Sequence, residues 1–182
     1  MKKITLIALF LVATLSTFGQ ETEIESNVER NELKINMTNL IIFKWVDFSY
    51  ERLLNEESSV GVGLLVALDD ENTGLDEYRT FSLTPYYRHF FSRKYAEGFF
   101  VEAFAMIHSG NDEVYEYDSI TLNGTYTDEK YTDFAVGIST GFKIISKRGF
   151  AAEIYLGIGR DLLDKSDLEV VGRGGLSIGY RF

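Results

Sequence analysis

The stretch GGLSIGYRF, residues 174–182, places Leu176, Ile178, Tyr180 and Phe182 at every second position. Side chains two residues apart share one face of a β-strand. The segment therefore predicts a strand with an apolar even-numbered face and an odd-numbered face of Gly175, Ser177, Gly179 and Arg181, small or charged. Such a face needs an apolar medium against it. The rest of the chain indicates which medium that is.

Period-2 alternation recurs along most of the sequence. Leu33, Ile35 and Met37 alternate with Lys34, Asn36 and Thr38; Val46, Phe48 and Tyr50 with Asp47, Ser49 and Glu51; Val60, Val62, Leu64, Val66 and Leu68 with Gly61, Gly63, Leu65 and Ala67. Further strands are predicted near 78–91, 98–108, 130–145, 149–160 and 170–182, which makes eight, and no helical period stands out. The connections alternate in length. Asn55–Ser58, Ser92–Glu97 and Ser146–Arg148 are short and polar, whereas Asp69–Glu77, Ser109–Glu129 and Asp161–Glu169 are long; the first, near 39–44, is short and apolar.

The facing of the apolar residues decides between a soluble and a membrane barrel. Phe134, Val136, Ile138, Phe142 and Ile144 share one face, and Asp133, Ala135, Gly137, Ser139, Gly141 and Lys143 share the other. The second face is a poor hydrophobic core. Lipid outside and a polar interior account for both. Each strand also has the roughly 9–11 residues needed to cross a bilayer at a tilt. The outward aromatics Tyr50, Tyr87, Phe91, Phe99, Phe142, Phe150, Tyr180 and Phe182 all fall at the short-turn end, as in an aromatic girdle at one interface. Pro85 is the discordant residue. It lacks the N–H that a closed barrel requires, so a bulge or a distorted pair is expected there, and a break would put the count of eight in doubt.

Residues 1–19 read as a signal peptide. Lys2 and Lys3 precede the apolar run Ile4–Leu15, and the small residues Thr17 and Gly19 lead up to a cleavage point between Gly19 and Gln20. The run is shorter than the roughly 20 residues a membrane-spanning helix needs. Residues 20–31 (QETEIESNVERN) form a polar leader, and 32–182 the barrel domain. Loss of Lys2 and Lys3 moves the formal charge from −10 to −12, unsuited to nucleic acid. The absence of cysteine excludes disulfides, thiolate chemistry and a cysteine-linked lipid anchor.

Signal peptide, eight amphipathic strands and terminal aromatic together resemble the small outer-membrane β-barrel proteins of Gram-negative bacteria, the OmpA/OmpX-like barrels. The resemblance spans residues 32–182 and implies an all-β, eight-stranded antiparallel up-and-down transmembrane barrel in the cell outer membrane. It also implies that the last strand is read by the outer-membrane assembly machinery, with Leu176, Ile178, Tyr180 and Phe182 as the signal. The position five before the final aromatic, usually glycine in that signal, is Ser177, flanked by Gly175 and Gly179.

By alternation the interior receives Lys34, Asp47, Glu51, Arg88, Glu102, Asp133, Lys143, Glu153, Arg173 and Arg181. Among these, Lys34, Glu51, Arg88, Glu102, Lys143, Glu153 and Arg181 are expected to form a lumen ion-pair network, because an unpaired buried charge is costly. Inward glycines 61, 63, 137, 141, 157, 159, 175 and 179 oppose inward Trp45, Tyr86, Phe100, Phe104 and Met106. Small against large fills a narrow barrel, so a blocked lumen is expected.

A lipid-modifying hydrolase would need His, Ser and an acid together. His108 and Ser109 are adjacent and face opposite ways, and His89 lies at the short-turn end, so no dyad is defined. The segment Ser109–Glu129 is acidic and tyrosine-rich, without calcium-loop spacing, and reads as a solvated surface loop. Asn123-Gly124-Thr125 within it reads as a turn, and the flanking strands can extend into it as a hairpin. The expectation is a monomeric, non-enzymatic barrel without cofactor or metal, in contact with outer-membrane lipids and with exposed loops for surface interaction. The rivals are a small-solute channel gated by the ion pairs and, third, a lipid-modifying enzyme.

Overall fold

Alternating sequences fold here as alternating surfaces. A computed structural model of the chain describes residues 29–68, 79–118, 123–163 and 169–182. The expected signal peptide 1–19, leader residues 20–28 and most of the long connections Asp69–Glu77 and Asp161–Glu169 lie outside the described residues. The elements are β1 (Asn31–Asn36), α1 (Met37–Ile42), β2 (Trp45–Leu53), β3 (Ser58–Ala67), β4 (Phe81–Phe90), β5 (Gly98–Asp118), β6 (Asn123–Ile145), β7 (Phe150–Asp161) and β8 (Val170–Arg181). They form a closed barrel in sequence order. Every pairing is antiparallel, and β8 closes on β1 from Glu32↔Arg181 to Asn36↔Ser177.

Inward and outward faces separate by chemistry. Arg88, Glu102, Lys143 and Glu153 are buried, whereas Leu156, Ile138 and Ile158 expose 74, 64 and 61% of their surface. The outward aromatics meet across strands at the short-turn end: Phe99 pairs with Phe142, Phe150 with Tyr180, and the Phe91 and Phe99 rings lie 5.9 Å apart.

Three local expectations are decided by the structure. First, the β1 strand stops at Asn36, and the apolar connection is a helix, α1. The Asn36 side chain accepts from the Asn39 N–H (3.2 Å) as its N-cap. One and a half turns are too short to reveal a helical period. Second, of the bulge or distorted pair expected at Pro85, the structure shows the distorted pair, and β4 does not break. The β4–β5 ladder lapses between Leu83↔Ile107 and Tyr86↔Phe104, and the register is the same on both sides; toward β3, Pro85 faces Val62. The missing N–H therefore interrupts one ladder without shifting it. Third, Asn123, Gly124 and Thr125 are not a turn. They lie in β6 opposite Asp118, Tyr117 and Glu116, so most of Ser109–Glu129 is the hairpin extension of β5 and β6 that the sequence also allowed, and not a loop.

Because β1 is short, the barrel wall is uneven. β8 continues past Ser177 toward Val170 with no β1 residue beside it. In hydrocarbon such an edge needs its backbone groups satisfied. α1 and its neighbours supply part of this: the Leu176 N–H donates to Thr38 Oγ1 (2.9 Å), and Asn36 Nδ2 donates to the Gly174 carbonyl (3.0 Å). Gly175 sits at the junction with φ +138°, and a Cβ there would lie 2.5 Å from Asn36 Oδ1.

Candidate functional site

The lower lumen, toward the short turns, holds one connected set of charges. The anions are Glu32, Glu51, Glu102 and Glu153, and the cations are Lys34, Arg88, Lys143, Arg173 and Arg181. Period-2 alternation on successive strands delivers all of them to one interior. Arg88 is the hub. Its Nη1 donates to Glu51 Oε2 (3.1 Å) and Glu153 Oε2 (2.8 Å), while Nε and Nη2 donate to Glu102 Oε2 (3.1 and 2.8 Å). Lys34 donates to Glu51 and, at 2.8 Å, to Glu153. Lys143 joins Glu32 and Glu51 at 2.9 Å each.

The two ends of the set are anchored differently. Toward the short turns, Arg181 donates to Glu32 Oε1 (2.7 Å) and to the carbonyls of Tyr95 (3.0 Å) and Ala96 (2.9 Å). Toward the long loops, Arg173 donates to Glu102. Ser59 and Ser139 add hydroxyl donors to Glu51 and Glu102 at 2.6 Å each. With these two serines, every strand from β1 to β8 contributes a side chain. Charges this deeply buried persist only when paired and hydrogen-bonded.

Rings and glycines pack between the charges. The Arg88 guanidinium lies 3.9 Å from the Phe100 ring centroid, and the Lys143 ammonium 4.5 Å from that of Phe90. Phe100 lies across Gly141, its ladder partner, where a Cβ would approach Phe100 Cζ to 2.6 Å. Phe104 lies across Gly137 and Tyr86 across Gly61 in the same way, at 2.4 and 2.3 Å. Glycine is the residue that admits the ring.

The structure thus places Lys34, Glu51, Arg88, Glu102, Lys143, Glu153 and Arg181 in one network. Sequence reasoning left out Glu32, although it is two residues from Lys34 on the same face and fully buried. It had Arg173 inward but outside the network. Leu176, Ile178, Tyr180 and Phe182 point outward on or just beyond β8, well away from it.

The upper lumen is organised otherwise. His108 Nε2 lies 2.8 Å from Asp161 Oδ1, and both residues are buried. That pair was hidden because its members are 53 residues apart. Ser82 is the ladder partner of His108 on β4. His108 Nδ1 has no hydrogen-bond partner among the described residues, so the serine and the imidazole are not bonded. His89 packs edge-on against Phe91 at 4.7 Å, remote from both. Above Arg173 lies a cavity of about 410 Å³ bounded by Trp45, Asp47, Leu65, Arg79, Ser82 and Met106, among others.

A closed, sequentially ordered barrel of eight antiparallel strands with an apolar exterior is the fold of the small OmpA-like barrels. A solved structure of similar fold is the crystal structure of the N-terminal β-barrel domain of Pseudomonas aeruginosa OprF. That domain matches with a TM-score of 0.54 over 85% of this chain and 98% of its own, at 13% sequence identity. No family model matches the sequence, and none of the curated proteins does.

Proposed function

We propose that this chain is a non-enzymatic outer-membrane β-barrel protein whose lower lumen is filled by side chains and whose role lies in the membrane itself and in its exposed loops. The observation that carries the reading is the pairing of opposite surfaces on one wall. Outward Leu156, Ile138 and Ile158 suit lipid, while the inward charges close on one another rather than on water. The likeness to the OprF barrel domain supports the same membrane setting. β8 closes the ring, and its outward Leu176, Ile178 and Tyr180, with Phe182 beyond them, are the residues we assign to recognition by the assembly machinery. Replacing Tyr180 and Phe182 by alanine is expected to lower the amount of folded barrel in the outer membrane; an unchanged amount refutes that assignment.

Conductance in a planar bilayer tests the lumen. With insertion verified separately, a silent membrane is the expected result. Discrete, reproducible steps would instead favour the solute channel with the Arg88 cluster as its gate. The enzyme reading has one observation in its favour, the His108–Asp161 pair with Ser82 across the ladder. Ester hydrolysis abolished by Ser82→Ala would establish it in place of the present proposal.

A further inference from the structure

The upper cavity is not confined to the lumen. Its boundary includes Ser82 and Met106, which face inward, and also Leu156, which faces outward on β7. It therefore passes through the wall, where β1 has ended at Asn36 and β8 presents Gly172, Gly174 and Gly175. A Cβ on Gly172 would meet nothing within 4 Å, which marks open space beside the strand. Outside, an apolar groove of about 630 Å³ adjoins it, sharing Thr38, Leu156 and Gly175 and running over Ile154 and Phe142.

The inner end is lined by Trp45, Leu65 and Met106 and carries two guanidiniums, Arg79 and Arg173, and one carboxylate, Asp47, with Asp161 also close enough to act on Arg79. Asp47 Oδ2 is held by Asn39 (2.7 Å) and Asn36 (3.2 Å), and Arg173 is paired with Glu102. Arg79 is different. It is 8% exposed, its Nη2 donates to the Gly172 carbonyl (3.0 Å), and its Nε has no hydrogen-bond partner among the described residues. A buried guanidinium donor without an acceptor is expensive. An oxygen anion supplied by a ligand satisfies it.

Resting on the outer-membrane reading above, we propose that the wall opening between β8 and α1 is a binding site for an anionic amphiphile taken from the bilayer. Its acidic head lies on Arg79 inside the barrel and its acyl chain lies in the groove along Leu156, Ile154 and Phe142. The unused Arg79 donor selects the head, and the adjacency of cavity and groove selects the chain.

Trp45, the single tryptophan of the chain, borders the cavity and is a native reporter. The barrel is inserted into phosphatidylcholine vesicles, insertion being checked by protease resistance, and titrated with a bromine-labelled long-chain carboxylate or its methyl ester. Saturable quenching of Trp45 by the carboxylate is expected, with the ester weaker by about tenfold or more, the size of one charge-assisted hydrogen bond. Arg79→Gln should lower carboxylate affinity by a similar factor. Gly172→Phe, which adds bulk where space is open and leaves the lower lumen untouched, should abolish the saturable phase. Quenching that rises linearly with label content, equal for acid and ester, would mean that Trp45 senses bulk lipid, and would overturn the site. Unchanged affinity in Arg79→Gln overturns the assignment of the head. A barrel that fails to insert overturns the membrane reading, and this inference with it.

Discussion

Gly61 and Gly63 stand two residues apart on the inward face of β3 and divide the lumen between them. A Cβ on Gly61 would lie 2.3 Å from the Tyr86 ring; one on Gly63 would find its nearest neighbour, Arg173 Nη2, at 3.6 Å. Below this boundary, every charge of the network has an opposite partner and rings lie on glycines. Above it lie a cavity, a buried His–Asp pair and an arginine with an unused donor. Both regions are built from the same alternating strands, and they differ in whether the wall is complete. Below, all eight strands are present and the inward side chains are buried against one another. Above, β1 gives way to a short helix and the interior communicates with the lipid face. Closure allows dense ion pairing, because no side chain there can reach solvent instead.

That contrast is broken or sharpened by substitution. The largest effect is expected for Arg88→Met. It leaves Glu51, Glu102 and Glu153 without their shared partner, and the loss should reach or exceed the roughly 3–5 kcal/mol typical of a broken buried pair. The denaturant midpoint of the refolded barrel measures it, and a midpoint near that of the parent protein would show that water reaches the hub. Glu102→Gln keeps the shape but removes the charge facing Arg88 and Arg173, and should cost about 3 kcal/mol by the same measurement. Gly61→Ala should cost about 1–3 kcal/mol by overpacking against Tyr86, whereas Gly63→Ala should stay within about 0.5 kcal/mol. Equal costs at the two positions would erase the division of the lumen. The smallest effect is expected at Pro85. Pro85→Ala restores a backbone donor toward β5 and should change stability by less than about 1 kcal/mol, with hydrogen exchange at Thr84 to Tyr86 reporting whether the ladder closes.

Much of this was legible in the chain because a strand's side-chain period is 2. That period alone puts Lys34, Glu51, Arg88, Glu102, Lys143, Glu153 and Arg181 on one side and Leu176, Ile178 and Tyr180 on the other. It also contained Glu32, which was overlooked because it stands at the start of the barrel segment, next to a polar leader. What period 2 does not contain is contact between strands distant in sequence. His108 and Asp161 reach each other only through the register of β5, β6 and β7, and neither side chain indicates the other locally. Register also overruled local turn chemistry at Asn123-Gly124, where pairing with Asp118 and Tyr117 carries β6 past a dipeptide that favours turns.

The sequence by itself determined the strand number, the barrel class, the lipid-facing and lumen-facing sets, and the opposition of glycines to rings. All of these follow from alternation and side-chain volume, which are local properties. The tertiary structure alone decided where β1 ends relative to β8, hence that the wall opens beside Gly172, that Arg79 crosses to cap that edge, and that Arg88 rather than another cation is the hub. Those outcomes depend on shear and register around a closed ring, where each strand's position is fixed by all the others.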